Sequence, residues 1–549
     1  MRNILILVIL CYFFFFFGNG IISLTSPDEV FYAGSAKEMI KYNIWMTPYL
    51  FGQPQFEKPV FLYWLLRIAF MIFGIGSFSG RFPPAVFATI GVIAVYLFAL
   101  LAFKNEKKAF LSGLVMMSAG LYVGLGRTIF TDMIFSVFIL LSMLAFFWGY
   151  ARQEKKSAAI LLFFIFSGLA ALTKGPLGLL LPLICVVVFL IARNDLKFLF
   201  IKASLWGLLA FILISFPWYL LMIKKYSLAF TYEFFYNNHI RRVFEAEHVS
   251  NDTWHFYPFA TVWAMFPWSA FVAVSLVCLY KNLKKQSEPV YLFLASWVAA
   301  VFIIFQSCHS KLVSYIFPVF PALAIIVADF IYCGAAENKK RRLLFFTSLL
   351  TALSLVILFI GLAIGLVLFP KFISIYMPER LPEYILLTLL FMLTLVYTLL
   401  ISRRRFLEAS GALMLFIPVI FSIVPLVSKY IDPYLSSRDI CRYLQDNYKI
   451  DNGRILVSKF FTRGVRYYTE REVAVMDIPG TPFFSPHPIP FLNNDAKVVE
   501  FVRKQPVTYG VLKRTALIDL ERMSNDLDCE ILKVIGNEYL VRLKPRQKG

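Results

Sequence analysis

The sequence predicts a polytopic α-helical membrane protein with about thirteen transmembrane helices, followed by a soluble α/β domain. Three observations carry this expectation. The 549-residue chain is 59% apolar and holds 59 Phe, with a mean hydropathy of +0.71, whereas soluble domains are about 45–50% apolar. Stretches of about 20 apolar residues, the length that crosses a bilayer core, recur over residues 1–428. From Lys429 the composition turns polar, with 20 Lys/Arg and 15 Asp/Glu in 121 residues. This balance excludes a water-soluble enzyme, a disordered chain, collagen and a coiled coil.

The elements follow in order. Met1-Arg2-Asn3 and the apolar run Ile4 to Phe17 resemble a secretory signal, but no small-x-small site precedes Thr25-Ser26-Pro27-Asp28-Glu29, so a retained first span is expected. Thirteen spans are expected near 4–24, 82–103, 109–126, 131–151, 157–173, 176–192, 199–222, 259–280, 289–306, 314–333, 343–369, 383–402 and 407–428. The apolar stretch 60–76 is left out, because Arg67 interrupts it and Gly74 and Gly76 end it; an interfacial helix is expected there.

Six basic clusters then fall in every second connection: Lys104/Lys107/Lys108, Arg152/Lys155/Lys156, Arg193/Lys197, Lys281/Lys284/Lys285, Lys339/Lys340/Arg341/Arg342 and Arg403/Arg404/Arg405. By the positive-inside rule these are cytoplasmic, which places the N-terminus in the cytoplasm and everything after residue 428 on the outer side. The net charge of +21 thus reports topology, and no nucleic-acid partner is expected. The outer face carries long loops at 25–81 and 223–258 and a shorter one at 370–382. The expected domains are a membrane domain, 1–428, and an outer α/β domain, 429–549, with strands at 454–458, 473–476, 507–511 and 538–542 and helices at 434–447 and 495–504. Seven scattered Cys demand neither a disulfide nor a structural zinc.

Ionisable residues cluster on the expected outer face, and none do so on the other, where charges lie only in basic loops. Asp28-Glu29 follows the first span; Glu57-Lys58 opens the interfacial helix; Arg127 and Asp132 flank span 4; Lys174 stands in Leu172-Thr-Lys-Gly-Pro176; His239-Ile-Arg-Arg242 lies in the second long loop; and Ser310-Lys-Leu312 with Tyr315 precedes span 10. Charges at a membrane face are costly to desolvate and are functional candidates for that reason. Carboxylates can serve as base or orienter, while Lys and Arg can hold a phosphate and stabilise it as it leaves. A phosphate-linked substrate with a lipid tail suits such a place. Each feature also has a plainer account: Asp28-Glu29 and Asp132 as helix caps, Glu57-Lys58 as a surface ion pair, Lys174-Gly175-Pro176 as a turn, and Arg241-Arg242 as headgroup anchors.

The ordered motifs SPDEVFY (26–32), FEKPVFLYWL (56–65), GRFPPAVFA (80–88), GRTIFTDM (126–133), ALTKGPLG (171–178), FPWY (216–219), HIRRVF (239–244), FPWS (266–269) and SKLVSYIFPVFPALA (310–324) resemble the GT-C membrane glycosyltransferases. The resemblance is to the bacterial 4-amino-4-deoxy-L-arabinose lipid A transferases and to the related protein O-mannosyltransferases. It implies transfer of a sugar from a polyprenyl-phosphate donor, in the bacterial inner membrane, to lipid A or another envelope acceptor on the periplasmic side, without a nucleotide cofactor. Carried over by motif, Asp28, Glu29 and Asp132 are the acidic catalytic positions. Lys58, Arg242, Lys311 and Tyr315 surround the lipid phosphate, and Glu57 with His239 holds a divalent metal ion such as zinc. Asn237-Asn238 stands where family members carry acidic residues. Transfer to protein or to another envelope glycan stays open as an acceptor choice. A transporter, the rival from another class, would carry charged groups near the membrane midplane, where these spans are almost uncharged.

Overall fold

The computed structural model describes residues 1–247, 249–285, 288–368, 381–449, 453–483 and 487–546. The chain forms two compact units. Met1–Asn19, Phe56–Leu62 and Arg81–Ile423 make the first; Gly20–Gln55, Tyr63–Gly80 and the chain from Val424 make the second.

Among the described residues, eight helices are long and apolar enough to cross a membrane: Ser77–Phe103, Thr131–Ala151, Gln153–Lys174, Lys202–Phe244, Pro289–Gln306, Val313–Ala336, Lys340–Leu368 and Leu381–Ser402. Three bent pairs add to them, Glu106–Met117 with Gly120–Gly126, Phe256–Ala264 with Ser269–Leu283, and Phe406–Ser422 with Val424–Leu435. Arg2–Phe16 and Leu177–Ala192 are apolar but shorter. Each expected stretch falls on one of these helices or pairs. The breaks are local: Pro267, which has no N–H to donate, sits where the second pair turns by 119°.

The loop expected at 223–258 differs. The helix from Lys202 continues past Ser227, whose φ of 47° breaks it, into a π-helical stretch at Tyr232–Ile240 and a last turn at Arg241–Phe244. Stacked rings hold this extension, Phe230 on Phe234 at 5.3 Å between centroids, so aromatic packing outweighs the polar residues that read as loop. The connection expected at 370–382 lies outside the described residues up to residue 380.

Helices Thr131–Ala151 and Lys156–Lys174 form the antiparallel hairpin on which the site depends. Gly149 lies so close to Ala159 that an added Cβ would collide with it, and Ser142 Oγ donates to the Phe163 carbonyl at 3.0 Å and meets Ser167 Oγ at 3.0 Å. Small residues and hydroxyls at an interhelical contact allow the close approach that holds helices together in lipid. At the other end of the bundle the structure corrects the expectation of basic loops alone. Lys108 pairs with the buried Asp329 at 2.5 Å, and Tyr291 Oη donates to the same carboxylate at 3.2 Å.

In the second unit, helix Asp28–Lys41 packs with the chain after Val424. Glu38 accepts from Arg466 at 3.1 Å and from the Gly52 N–H at 2.8 Å, Lys37 meets Glu470 at 2.8 Å, and buried Asp432 accepts from Ser23 N and Oγ at 2.8 and 2.7 Å. Arg67 of helix Phe61–Phe73 explains its place in an apolar run. It donates to the carbonyls of Met39 and Ile44 at 2.9 and 2.6 Å and stacks 3.9 Å from the Trp45 ring centroid, which puts a cation at the C-terminal end of helix Asp28–Lys41.

The C-terminal sheet has six strands, β1 (Ile455–Ser458), β2 (Val473–Met476), β3 (Phe491–Leu492), β4 (Thr508–Leu512), β5 (Leu527–Ile535) and β6 (Glu538–Pro545), in the order β3-β2-β1-β4-β6-β5. β1 runs parallel to β2 and β4, while β6 is antiparallel to β4 and β5. The expected helices appear as Arg438–Asn447 and Asp495–Arg503. β5 escaped the sequence pattern because it is an edge strand with most of its side chains exposed.

Glu538 opens β6 only 3% exposed. Burial pushes its carboxyl up to about 8, with Asp439 adding to the rise and the hydrogen bond from Ser437 opposing it. The folded chain therefore keeps a proton that the unfolded chain has released above its ordinary value of 4.5, so stability falls as pH rises between those values. Glu538→Gln should raise the melting temperature of the purified protein more at pH 8 than at pH 5. An equal shift at both pH values would contradict a buried, protonated Glu538.

Candidate functional site

Phe56-Glu57-Lys58-Pro59 is anchored in the first unit by Phe56, whose ring packs 5.1 Å from Tyr226 and 5.6 Å from Phe230. This leaves Lys58 half-buried. Its ammonium donates to the Glu57 backbone carbonyl at 3.1 Å and, among the described residues, makes no ion pair. Loss of water, together with the positive charges of Arg242 and Lys174, pushes it down to about 8 against the pull of Glu57 and Asp132. A lysine in this state favours an anion beside it.

The helix hairpin delivers the next pair. Asp132 stands in the first turn of Thr131–Ala151, and Lys174 is the last residue of Lys156–Lys174. An antiparallel hairpin brings these ends together, and the Lys174 ammonium lies 2.6 Å from the Asp132 carboxylate and 4.8 Å from the Tyr315 ring centroid. From the extended helix comes Arg242, which donates to Tyr315 Oη at 2.7 Å and pairs with Glu247 at 3.0 Å. Three cations therefore share one electrostatic neighbourhood with Glu57 and Asp132. Two of the cations have carboxylate partners at ion-pair distance.

His239 sits on the π-helical stretch. Its Nδ1 lies 2.7 Å from the Phe234 carbonyl and its Nε2 3.3 Å from the Lys174 carbonyl. Gly175 makes this possible: its φ is +94° and ψ −160°, and a Cβ there would strike Nε2, so only glycine suits both backbone and ring. If Nδ1 donates to Phe234, Nε2 keeps a lone pair that faces an oxygen, an arrangement that a cation between them would relieve. Among the described residues no three His, Cys, Asp or Glu side chains gather as a metal site.

The remaining expected site residues have partners of their own. The Lys311 ammonium is engaged by Asp252 at 2.6 Å. Asp28 and Glu29 belong to the second unit. Glu29 is fully buried and accepts from Thr25 N and Oγ1 at 3.0 and 2.9 Å, a bond set that closes the turn ahead of its helix. Exposed Asp28 is the first residue of that helix. Arg127 donates to the carbonyls of Phe14 and Phe17 at 3.0 and 2.9 Å and so finishes the first helix. Asn237 and Asn238 both donate to Glu233, at 3.1 Å in each case. Lys174, read from sequence as a turn residue, joins the site; its signal was its position at the end of an apolar span. Glu247 and Asp252 gave no pattern at all.

Residues 57–220 match the family model described as dolichyl-phosphate-mannose-protein mannosyltransferase. The undecaprenyl phosphate-alpha-4-amino-4-deoxy-L-arabinose arabinosyl transferase of Edwardsiella ictaluri is 30% identical over 321 residues, 58% of this chain and 57% of that protein. The protein of the same name from Yersinia pestis is 29% identical over 414 residues, 73% of each. The first of these matches spans less than two thirds of that relative's length. Among solved structures, ArnT from Cupriavidus metallidurans in the apo state superposes with a TM-score of 0.79 at 18% identity, covering 98% of this chain and 97% of that one; ArnT bound to undecaprenyl phosphate gives 0.76. The chain has the GT-C fold of ArnT, and in sequence it is similar to the undecaprenyl phosphate-aminoarabinose arabinosyl transferases and, over residues 57–220, to the dolichyl-phosphate-mannose-protein mannosyltransferases.

Proposed function

We propose that the chain is a membrane glycosyltransferase that moves a sugar from a polyprenyl-phosphate donor to an envelope acceptor, with an aminoarabinose-type sugar and lipid A as donor group and acceptor. The observation that carries this is Lys58, a half-buried ammonium without an ion-pair partner among the described residues, set beside Arg242 and Lys174. In the transfer the bond from the sugar's anomeric carbon to the phosphate oxygen breaks, and its electron pair stays on the phosphate as an acceptor oxygen bonds to that carbon. Lys58 and Arg242 stabilise the charge that gathers on the leaving phosphate. Tyr315 holds the Arg242 guanidinium, and Asp132 holds the Lys174 ammonium over the Tyr315 ring.

Asp28 and Glu29 enter from their motif alone; Asp28 accepts the proton of a hydroxyl acceptor, while a phosphate acceptor is already ionised and needs only positioning. The basic connections support a cytoplasmic N-terminus and a periplasmic C-terminal domain. Transfer to protein has one observation of its own, the mannosyltransferase match over residues 57–220. Lys58→Met and Arg242→Ala should each weaken undecaprenyl phosphate binding about tenfold or more, as loss of a charge-assisted contact does. Mass spectrometry of lipid A and of envelope proteins, with and without the gene, identifies the acceptor. Unchanged lipid binding in both variants would overturn the phosphate site.

The metal belongs to the same proposal. Glu57 and His239, taken from their motifs, would hold a divalent ion such as zinc, which would supply positive charge beside the phosphate. Elemental analysis of the purified protein should show metal in the wild type and its loss in His239→Ala. Equal content in the two would remove the metal from the site.

A further inference from the structure

The loop after Arg242 carries a cluster that the transfer chemistry does not use. Arg242 has neighbours in residues 309–315 and just beyond it in the chain. Its carbonyl accepts from Ser310 N at 3.0 Å, and the next carbonyl, of Val243, accepts from His309 N at 3.1 Å. Its guanidinium is held by Tyr315 and Glu247. The segment that sets Arg242 is in turn gripped by residues 251–253. Asp252 takes the Lys311 ammonium on one carboxylate oxygen at 2.6 Å and His309 Nδ1 on the other at 2.7 Å. Asn251 Nδ2 donates to the Lys311 carbonyl at 3.1 Å, and Gln306 Nε2 donates to the Thr253 carbonyl at 3.0 Å.

We infer that Asp252 is a positioning residue for the phosphate site: by clasping Lys311 and His309 it fixes residues 309–311 against Arg242–Val243 and so sets the Arg242 guanidinium against Tyr315. This rests on the proposed phosphate role of Arg242. Asp252 touches no reacting group. It fastens the far side of a segment whose near side carries both the backbone partners and the phenol of Arg242. Lys311, with a side chain 5% exposed, is thereby a strut rather than a phosphate ligand, because its ammonium already has a carboxylate at contact distance. Pairing of a buried lysine also means that removing Asp252 alone leaves an uncompensated charge, which destabilises in its own right. The test must separate that loss from the loss of position.

Binding of undecaprenyl phosphate to the full-length protein in detergent, read by native mass spectrometry alongside melting temperature, makes the separation with four variants: Arg242→Ala, Asp252→Ala, Asp252→Asn and Asp252→Asn/Lys311→Met. The double variant has neither charge, so it should melt near the wild type while lacking the clasp. Expected are about tenfold weaker binding in Asp252→Ala and Asp252→Asn, within the range of substitutions that act on a site from outside it, and the same loss in the double variant. In turnover, donor kcat/KM should fall through both a higher KM and a lower kcat, because the Arg242 guanidinium binds the phosphate and also stabilises it as it leaves. Recovery of wild-type affinity together with melting temperature in the double variant would show that Asp252 merely neutralises Lys311. Unchanged or tighter binding in Asp252→Ala, with Arg242→Ala weakened, would overturn the inference alone and return Lys311 to the phosphate. Unchanged binding in Arg242→Ala would overturn the phosphate reading, and this inference with it.

Discussion

An ammonium group held partly out of water without an ion pair is unstable as such, and Lys58, which makes none among the described residues, is in that position. A membrane protein places a charge at its surface only where something repays the desolvation. The bundle shows what full compensation looks like at its other end, where Lys108 has the Asp329 carboxylate at 2.5 Å and Tyr291 satisfies the second oxygen. That pair asks for nothing further. At Lys58 the hydrogen-bonded acceptor among the described residues is a backbone carbonyl, and two further cations lie within electrostatic reach. On the proposed function, an anion supplied from outside completes the second arrangement and would only compete with the first.

Positioning of the cations is the work of secondary structure that departs from ideal form. A close hairpin, permitted by Gly149 against Ala159, joins Lys174 to Asp132. A break at Ser227 and a π-helical stretch at Tyr232–Ile240 carry His239 and Arg242 to places a straight helix would not reach. Short π-helical segments inside α-helices are often found at functional sites. Gly175 completes the set, since any Cβ would displace His239.

Much of this was legible in the chain. The apolar stretches marked every helix that could span a membrane, because burial in lipid demands uninterrupted length. Arg67 and the two glycines after it set the 60–76 stretch apart, and the structure shows the reason in the carbonyls to which Arg67 donates. Motif spacing marked Lys58, Asp132, His239, Arg242 and Tyr315. What stayed hidden depends on long-range partners. Glu38 meets Arg466 from 428 residues away, and no local period announces such a pair. Lys174 looked like the edge of a turn because its partner, Asp132, is brought to it only by the hairpin. Lys311 and Asp252 are 59 residues apart, and nothing in SKLVSY distinguishes a lysine that holds a loop from one that holds a phosphate. The helical continuation through 223–244 was missed for a related reason: its stability comes from ring stacking at Phe230 and Phe234 rather than from a clean helical period.

The central proposal is that Lys58, which makes no ion pair among the described residues, takes a lipid phosphate as its counter-ion. An electron cryomicroscopy structure of the full chain in lipid nanodiscs with undecaprenyl phosphate tests it most directly. The phosphate should lie about 3 Å from Lys58 Nζ and from the Arg242 guanidinium, the distance of a charge-assisted hydrogen bond. A phosphate bound elsewhere, with Lys58 still facing only the Glu57 carbonyl, would contradict the account.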